Sequence, residues 1–175
     1  MLLLLVLVCT VNPVYQAISN FLQANLGNTK ITISGIGYIY ILISIGEALG
    51  SKIVYVLMRK IKTNSIMKYS LIIMCVCTYL LTVHMWIIVT VFLGVIYGII
   101  STTNVIEINK IADNSNRATM MSQQHAIVKI SQTLFFIICG LAISKSNVNG
   151  MLYAGCFLLL ISIAIYFKFG KDKIY

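Results

Sequence analysis

Six long apolar stretches, separated by short polar segments, dominate this sequence. They lie at residues 1–24, 35–58, 66–83, 85–106, 118–143 and 149–169. A helix needs roughly 20 apolar residues to cross a hydrocarbon core of about 30 Å. Within lipid the backbone must satisfy its own hydrogen bonds, which favours helices. The pattern therefore predicts an all-α membrane protein with six transmembrane helices, forming a single domain over residues 1–175.

The fifth stretch carries a polar stripe along an otherwise apolar helix. Its polar side chains recur at spacings of three and four, which places them on one face: Ser122, His125, Lys129, Gln132 and Thr133. A face exposed to lipid has to be apolar, so we expect this stripe to face protein or water. One interpretation is packing against neighbouring helices, with serine and threonine bonding to backbone carbonyls. A lysine in mid-membrane costs roughly 2.5–3.5 kcal/mol on insertion scales, which makes Lys129 a functional candidate.

The first and fourth stretches also have a polar side. The first contains a polar stripe and a proline that can bend it, and the second half of the fourth is polar. The stripe on the first is Asn12, Gln16, Ser19, Asn20 and Gln23, and the residues on the fourth are Tyr97, Ser101, Thr102 and Asn104. Two interpretations stay open. The side chains could bond between helices, at about 1 kcal/mol or less per contact, or they could face an aqueous cavity.

The second and fourth stretches contain matched glycine pairs. Gly46-x-x-x-Gly50 and Gly94-x-x-x-Gly98 each allow another backbone to approach closely. Glu47 lies beside the first pair, near the middle of its helix. A mid-membrane carboxylate is a functional candidate, and the alternative is a protonated glutamic acid bonded within the bundle.

Composition supports the membrane class. The chain is 59% hydrophobic and 10% charged, whereas soluble domains are typically about 25% charged. The net charge of +9 would suggest nucleic acid for a soluble protein; here a lipid bilayer explains it, and no nucleic-acid partner is predicted. All five cysteines lie in apolar stretches and are interpreted as small buried hydrophobes, so neither a metal nor a cofactor is predicted. No H-E-x-x-H, G-x-S-x-G or P-loop motif occurs, so we expect no enzyme activity.

The basic residues are distributed unevenly between the loops. Lys30 and Lys145 follow the first and fifth stretches. Nine lie after the second and fourth stretches or at the C-terminus: Arg59, Lys60, Lys62, Lys68, Lys110, Arg117, Lys168, Lys171 and Lys173. Cytoplasmic loops are enriched in lysine and arginine. The sequence therefore predicts a multi-pass protein of the cell membrane with both termini in the cytoplasm.

Several segments together resemble a known family. Arg117-Ala118-Thr119-Met120-Met121-Ser122 opens a long helix after a cytoplasmic loop, as at the start of the eleventh helix of major facilitator superfamily transporters. Residues 15–26 and 34–50 resemble the seventh and eighth helices. Residues 59–62 stand where the second copy of the family's basic loop motif belongs, but Arg59 occupies the place of its acidic residue. The resemblance covers the second six-helix half of the fold.

The resemblance implies the C-terminal half, or a fragment, of a secondary transporter that moves a small solute by alternating access. Helices one and four would line the cavity, two and five would lie at the seam between halves, and three and six would be peripheral. The expected substrate contacts are Asn12, Gln16, Asn20, Tyr97, His125 and Lys129. Glu47 and Lys129 would carry charge coupling, by pairing, binding an ionic solute or exchanging protons. The family motif residues are Arg117, Ala118, Thr119 and Ser122.

Two alternatives remain at this stage. The chain could be a non-transporting six-helix assembly or regulatory subunit. It could also form a homodimer, in which a second copy replaces the N-terminal six-helix half. Identical halves insert in the same orientation, which is compatible with the parallel relation of the two halves in this superfamily.

The topology can be tested by single-cysteine labelling with a membrane-impermeant reagent. We expect positions 62 and 112 and the C-terminus to react from the cytoplasmic side, and positions 28 and 147 from the outside, because the basic loops stay inside. External labelling at position 112 would contradict the predicted helix count.

Overall fold

The chain folds entirely into helices over the residues that the structure, a computed structural model, describes: 2–26, 33–83, 86–112 and 116–169. The helices are α1 (Leu2–Leu26), α2 (Ile33–Leu57), α3 (Thr63–Leu80), α4 (Trp86–Ile111) and α5 (Arg117–Phe169), with a short 3-10 helix at Leu81–Val83. The all-α prediction is therefore confirmed. Of the residues used above, Lys30, Lys171 and Lys173 and the side chains of Gln23 and Lys145 lie outside this description.

In place of the fifth and sixth predicted helices, the structure has one helical element, α5, which runs from Arg117 to Phe169. The predicted turn contains polar residues but no proline, so no backbone donor is removed there. Two parts of α5, the first arm (Arg117–Ile143) and the second arm (Asn149–Lys168), are each long and apolar.

Both arms of α5 contact α1. Gln132 of the first arm shares a cavity with Gln16, and a Cβ added at Gly155 of the second arm would lie 3.2 Å from Val14. A straight helix would separate Gln132 from Gly155 by about 35 Å. The axis therefore turns back between the arms, which run in opposite directions along the bundle.

Four helical segments in the described part of the chain are long and apolar enough to cross a membrane: Ser34–Leu57, Ile87–Ile111, Arg117–Ile143 and Asn149–Lys168. α1 contains a shorter apolar segment, Leu5–Phe21, and its helix continues through Pro13. Large apolar side chains cover the outside of the bundle, among them Tyr38, Ile41 and Ile45 of α2. Such a surface suits lipid and not water, which makes this a membrane protein.

α2 and α4 pack backbone against backbone through the two glycine pairs. Gly46 and Gly50 face α4, while Gly94 and Gly98 face α2. A Cβ at Gly46 would lie 2.9 Å, and one at Gly94 2.8 Å, from a carbonyl oxygen, and at Gly50 and Gly98 it would overlap one. The oxygens that face Gly46 and Gly50 belong to Val91 and Val95, respectively. Those that face Gly94 and Gly98 belong to Ile43 and Glu47. The predicted close packing is confirmed, and the two pairs are each other's partners.

α3 completes the bundle by packing between α4 and the second arm of α5. Its buried side chains form one face that runs from Ile66 to Thr78. The ammonium of Lys68 lies 5.0 Å from the centre of the Phe167 ring, a cation–π contact that joins the start of α3 to the end of α5. At that same end, the Nε of Arg117 donates to the side-chain oxygen of Asn109 at 2.7 Å.

Substitution of the interface glycines should destabilise the bundle. Gly50→Ala and Gly98→Ala each insert a methyl group against a backbone carbonyl, and overpacking of this kind typically costs about 1–3 kcal/mol. Gly37→Ala and Gly140→Ala are matched controls, because nothing lies within 4 Å of the added Cβ and alanine is favoured over glycine in a helix by roughly 0.5–1 kcal/mol. Unfolding of the purified protein in mixed micelles measures the difference. Equal stability of all four variants would show that α2 and α4 do not pack through these glycines.

Candidate functional site

A cavity of about 210 Å³ lies between α1, α4 and the first arm of α5. Its polar lining consists of Asn12 and Gln16 from α1, Tyr97, Ser101 and Asn104 from α4, and Gln124, His125, Lys129 and Gln132 from α5. The remaining wall is apolar and is formed mainly by valine side chains, with Ile100 and Met121. The cavity thus combines carboxamides, one ammonium and an aliphatic surface.

Five of the six residues predicted to contact substrate line this cavity: Asn12, Gln16, Tyr97, His125 and Lys129. The exception is Asn20, which is exposed. It lies about 6 Å further along α1 than Gln16, beyond the lining of the cavity. His125 and Lys129 are also exposed, so they lie at the open edge of the cavity rather than in its interior.

Two stacked tyrosines join α1 to α4. The rings of Tyr15 and Tyr97 lie 3.9 Å apart between centroids and are inclined by 8°. The hydroxyl of Tyr97 donates to the side-chain oxygen of Asn12, and that of Tyr15 donates to the carboxylate of Glu47 on α2. The stack therefore connects three helices, with Tyr97 and Asn12 on the cavity and Glu47 outside its lining.

Glu47 and Lys129 do not form the ion pair that was one of the predicted alternatives. Glu47 accepts the Tyr15 hydroxyl, and the ammonium of Lys129 donates to the carboxamide oxygen of Gln132 at 3.2 Å. The residues project from α2 and α5, on opposite sides of the α1–α4 contact. Among the described residues, an ion pair joins Lys110 to Glu107 at 2.7 Å. The other predicted roles of Glu47 and Lys129 stay predictions.

The face that the first arm of α5 turns to the cavity only partly matches the predicted stripe: His125, Lys129 and Gln132 line the cavity, but Ser122 and Thr133 do not. Gln124, Val128 and Gln132, spaced by four, are buried, whereas Ser122 and Thr133 are exposed. Thr133 donates its hydroxyl to the carbonyl of Lys129 at 3.0 Å, which agrees with the backbone-bonding interpretation. The spacing of the two glutamines was visible in the sequence, but the more varied stripe beside it obscured their face.

Ser101 and Asn104 of α4 also line the cavity and were omitted from the site prediction, although the sequence places both on the polar side of that helix. Asn104 is the more deeply buried of the two. It is only 2% exposed, and its side-chain oxygen has no hydrogen-bond partner within the described part of the chain. Buried polar atoms are rarely left without a partner, because the loss costs about 1–3 kcal/mol. The unpaired acceptor belongs to a residue of the cavity wall, and a bound molecule with a donor would remove this cost if the buried oxygen turned toward the cavity.

The family-motif residues lie at the start of α5. Arg117, Ala118, Thr119 and Ser122 are all exposed, and none lines the cavity. The bond from Arg117 to Asn109 ties this end of α5 to the end of α4. The described residues include no cluster of three histidine, cysteine or acidic side chains able to hold a metal ion.

No family model, curated protein or solved structure matches this chain. The relationship to the major facilitator superfamily therefore rests on the sequence segments described above and stays a prediction.

The bond between Tyr15 and Glu47 should be measurable in a double-mutant cycle. Tyr15→Phe removes the donor from a half-buried carboxylate and should destabilise the protein by about 1–3 kcal/mol. In the Glu47→Gln background the same change should cost about 1 kcal/mol less. Tyr40→Phe is the matched control, since Tyr40 donates to the carbonyl of Ser19, and its effect should add to that of Glu47→Gln. If Glu47→Gln were instead coupled to Lys129→Met, the result would favour an ion pair between Glu47 and Lys129.

Proposed function

We propose that this chain forms one six-helix wall of a membrane transporter, which moves a small polar solute across the cytoplasmic membrane by alternating access. One observation carries the proposal: side chains from α1, α4 and the first arm of α5 converge on one polar cavity inside an otherwise apolar bundle. Helices one and four, with the polar face of five, are the elements for which the sequence indicated this role. No catalytic chemistry is needed for the assignment.

The polarity of the cavity supports a role in binding. Carboxamides cost free energy to place inside a membrane unless they are paired. Asn104, Gln124 and Gln132 are nevertheless buried along one cavity. An apolar lining would pack the helices with less penalty, so the polar groups are best explained by a solute that uses them.

The poor coverage of two helices supports a two-part transporter. The first arm of α5 and α2 are the least covered candidate spans: 22% and 28% of their apolar stretches are buried, against 56% for α4 and 39% for the second arm. Such poorly covered helices suit the seam of a larger assembly. The proposed partner is an N-terminal six-helix half or a second copy of the chain, because one wall has nothing to alternate against.

The same proposal includes six membrane spans with both termini cytoplasmic. α1 has 25 residues and α3 has 18, which correspond to about 37 and 27 Å of helix. Both lengths are close to a hydrocarbon core of about 30 Å. Together with α2, α4 and the two arms of α5, they support six crossings.

Alternating access can be tested without knowing the solute. The five native cysteines are replaced by alanine, and Gln16→Cys is introduced into this background. The variant is studied in native membranes, so that a partner chain, if the protein has one, is present. Gln16→Cys should react with an impermeant maleimide added from either side. A transport cavity opens to each side in turn. Val14→Cys is the control and should react from neither side, because Val14 is 1% exposed and packs against Gly155.

Labelling of Gln16→Cys from one side alone, or from neither, would contradict transport. A non-transporting assembly or regulatory subunit would have a cavity whose accessibility does not alternate between the two sides of the membrane.

A further inference from the structure

We infer that the cavity binds a small organic anion that also carries an N–H or O–H donor. This inference deepens the proposed transport function, and rests on it for the movement of the solute, but the binding itself can be measured separately. Three features of the cavity lead to it: its charge, the unpaired acceptor of Asn104 and its size.

The charge of the cavity is positive and has no carboxylate partner in the lining. Lys129 contributes an ammonium, and the described lining residues include no aspartate or glutamate. The bond from Lys129 to Gln132 leaves its charge uncompensated, because the carboxamide is neutral. The two acidic side chains in the described part of the chain have other partners. Glu47 accepts a hydrogen bond from Tyr15, and Glu107 pairs with Lys110. An anion would supply the missing counter-charge, whereas a cation would be repelled.

The unpaired acceptor favours a donor on the same molecule. The side-chain oxygen of Asn104 is buried and has no partner among the described residues. Asn104 lines the cavity together with Lys129, so a donor on the ligand would draw this oxygen toward the cavity. Sites that hydrogen-bond a solute hydroxyl or amine reject analogues that lack it, since the buried group is then left unpaired. A simple carboxylate or halide would satisfy Lys129 and leave Asn104 unbonded.

The size and the apolar wall favour an organic ion. The cavity measures about 210 Å³, and an engineered protein cavity of about 150 Å³ holds a benzene molecule. Val8, Val11 and Ile100 provide aliphatic surface in the same lining as the polar groups. The complementary ligand is therefore a short carbon skeleton with a carboxylate or similar anion at one end and a hydroxyl or amine nearby.

The charge preference is tested by reagent selectivity at Gln16→Cys in the full-length, otherwise cysteine-free chain. The rate of modification by an anionic methanethiosulfonate is divided by the rate with a cationic one, each corrected for reaction with a free thiol. Lys129→Gln should lower this ratio severalfold, because it removes an ammonium that attracts the anionic reagent and repels the cationic one. Lys52→Gln is the matched control, because Lys52 is outside the cavity, and should leave the ratio unchanged. Equal ratios in the two variants would overturn the anion assignment.

The donor requirement is tested with four small probes on the purified chain at constant ionic strength. Lactate should raise the unfolding temperature more than propionate, which lacks a donor, and 2-methoxypropionate, which has only an acceptor. Lactamide, which is neutral, should have no effect. Asn104→Leu should abolish the difference between lactate and propionate but keep the effect of both. If lactate stabilises no better than propionate or lactamide, the inference is wrong.

The outcomes separate binding from transport. Anion selectivity and lactate binding together with one-sided labelling of Gln16→Cys would keep the site and reject the transport function. Two-sided labelling without anion selectivity would keep transport and reject the ligand class.

Discussion

The contact between the glycine pairs of α2 and α4 determines where the other functional side chains lie. Within lipid no hydrophobic effect drives helices together, so close backbone packing has to hold them. The carbonyl of Glu47 lies against Gly98, and Tyr97 is the preceding residue. The packing seam therefore sets Glu47 level with the Tyr15–Tyr97 stack, which in turn places Tyr97 and Asn12 on the cavity.

The tyrosine stack divides the polar groups of the bundle into two sets. On the α2 side, Glu47 has a hydroxyl donor. On the α5 side, the carboxamides and Lys129 surround an open space. This separation keeps the carboxylate away from the ammonium, so the cavity retains a positive charge that an ion pair would cancel. The proposed binding of an anion therefore depends on the absence of that pair.

The sequence by itself determined the all-helical class, the two glycine pairs and most of the polar residues of the cavity. Helix formation follows from hydrophobic length, and the polar stripes mark faces that cannot meet lipid. Asn12, Gln16 and Tyr97 were predictable because each lies on such a face. Asn20 lies on the same stripe as Gln16 but outside the lining, because periodicity specifies a face and not how far along the helix a cavity extends.

Tertiary structure alone decided which groups meet. Periodicity cannot give the rotation of one helix against another, so it could not show that Gln124 joins Gln132 on the buried face of α5 while Ser122 and Thr133 are exposed. It could not show that Glu47 meets Tyr15, since a partner depends on which helices are neighbours in space. The unpaired acceptor of Asn104 is likewise a property of the assembled bundle, because whether a polar atom has a partner depends on everything packed around it.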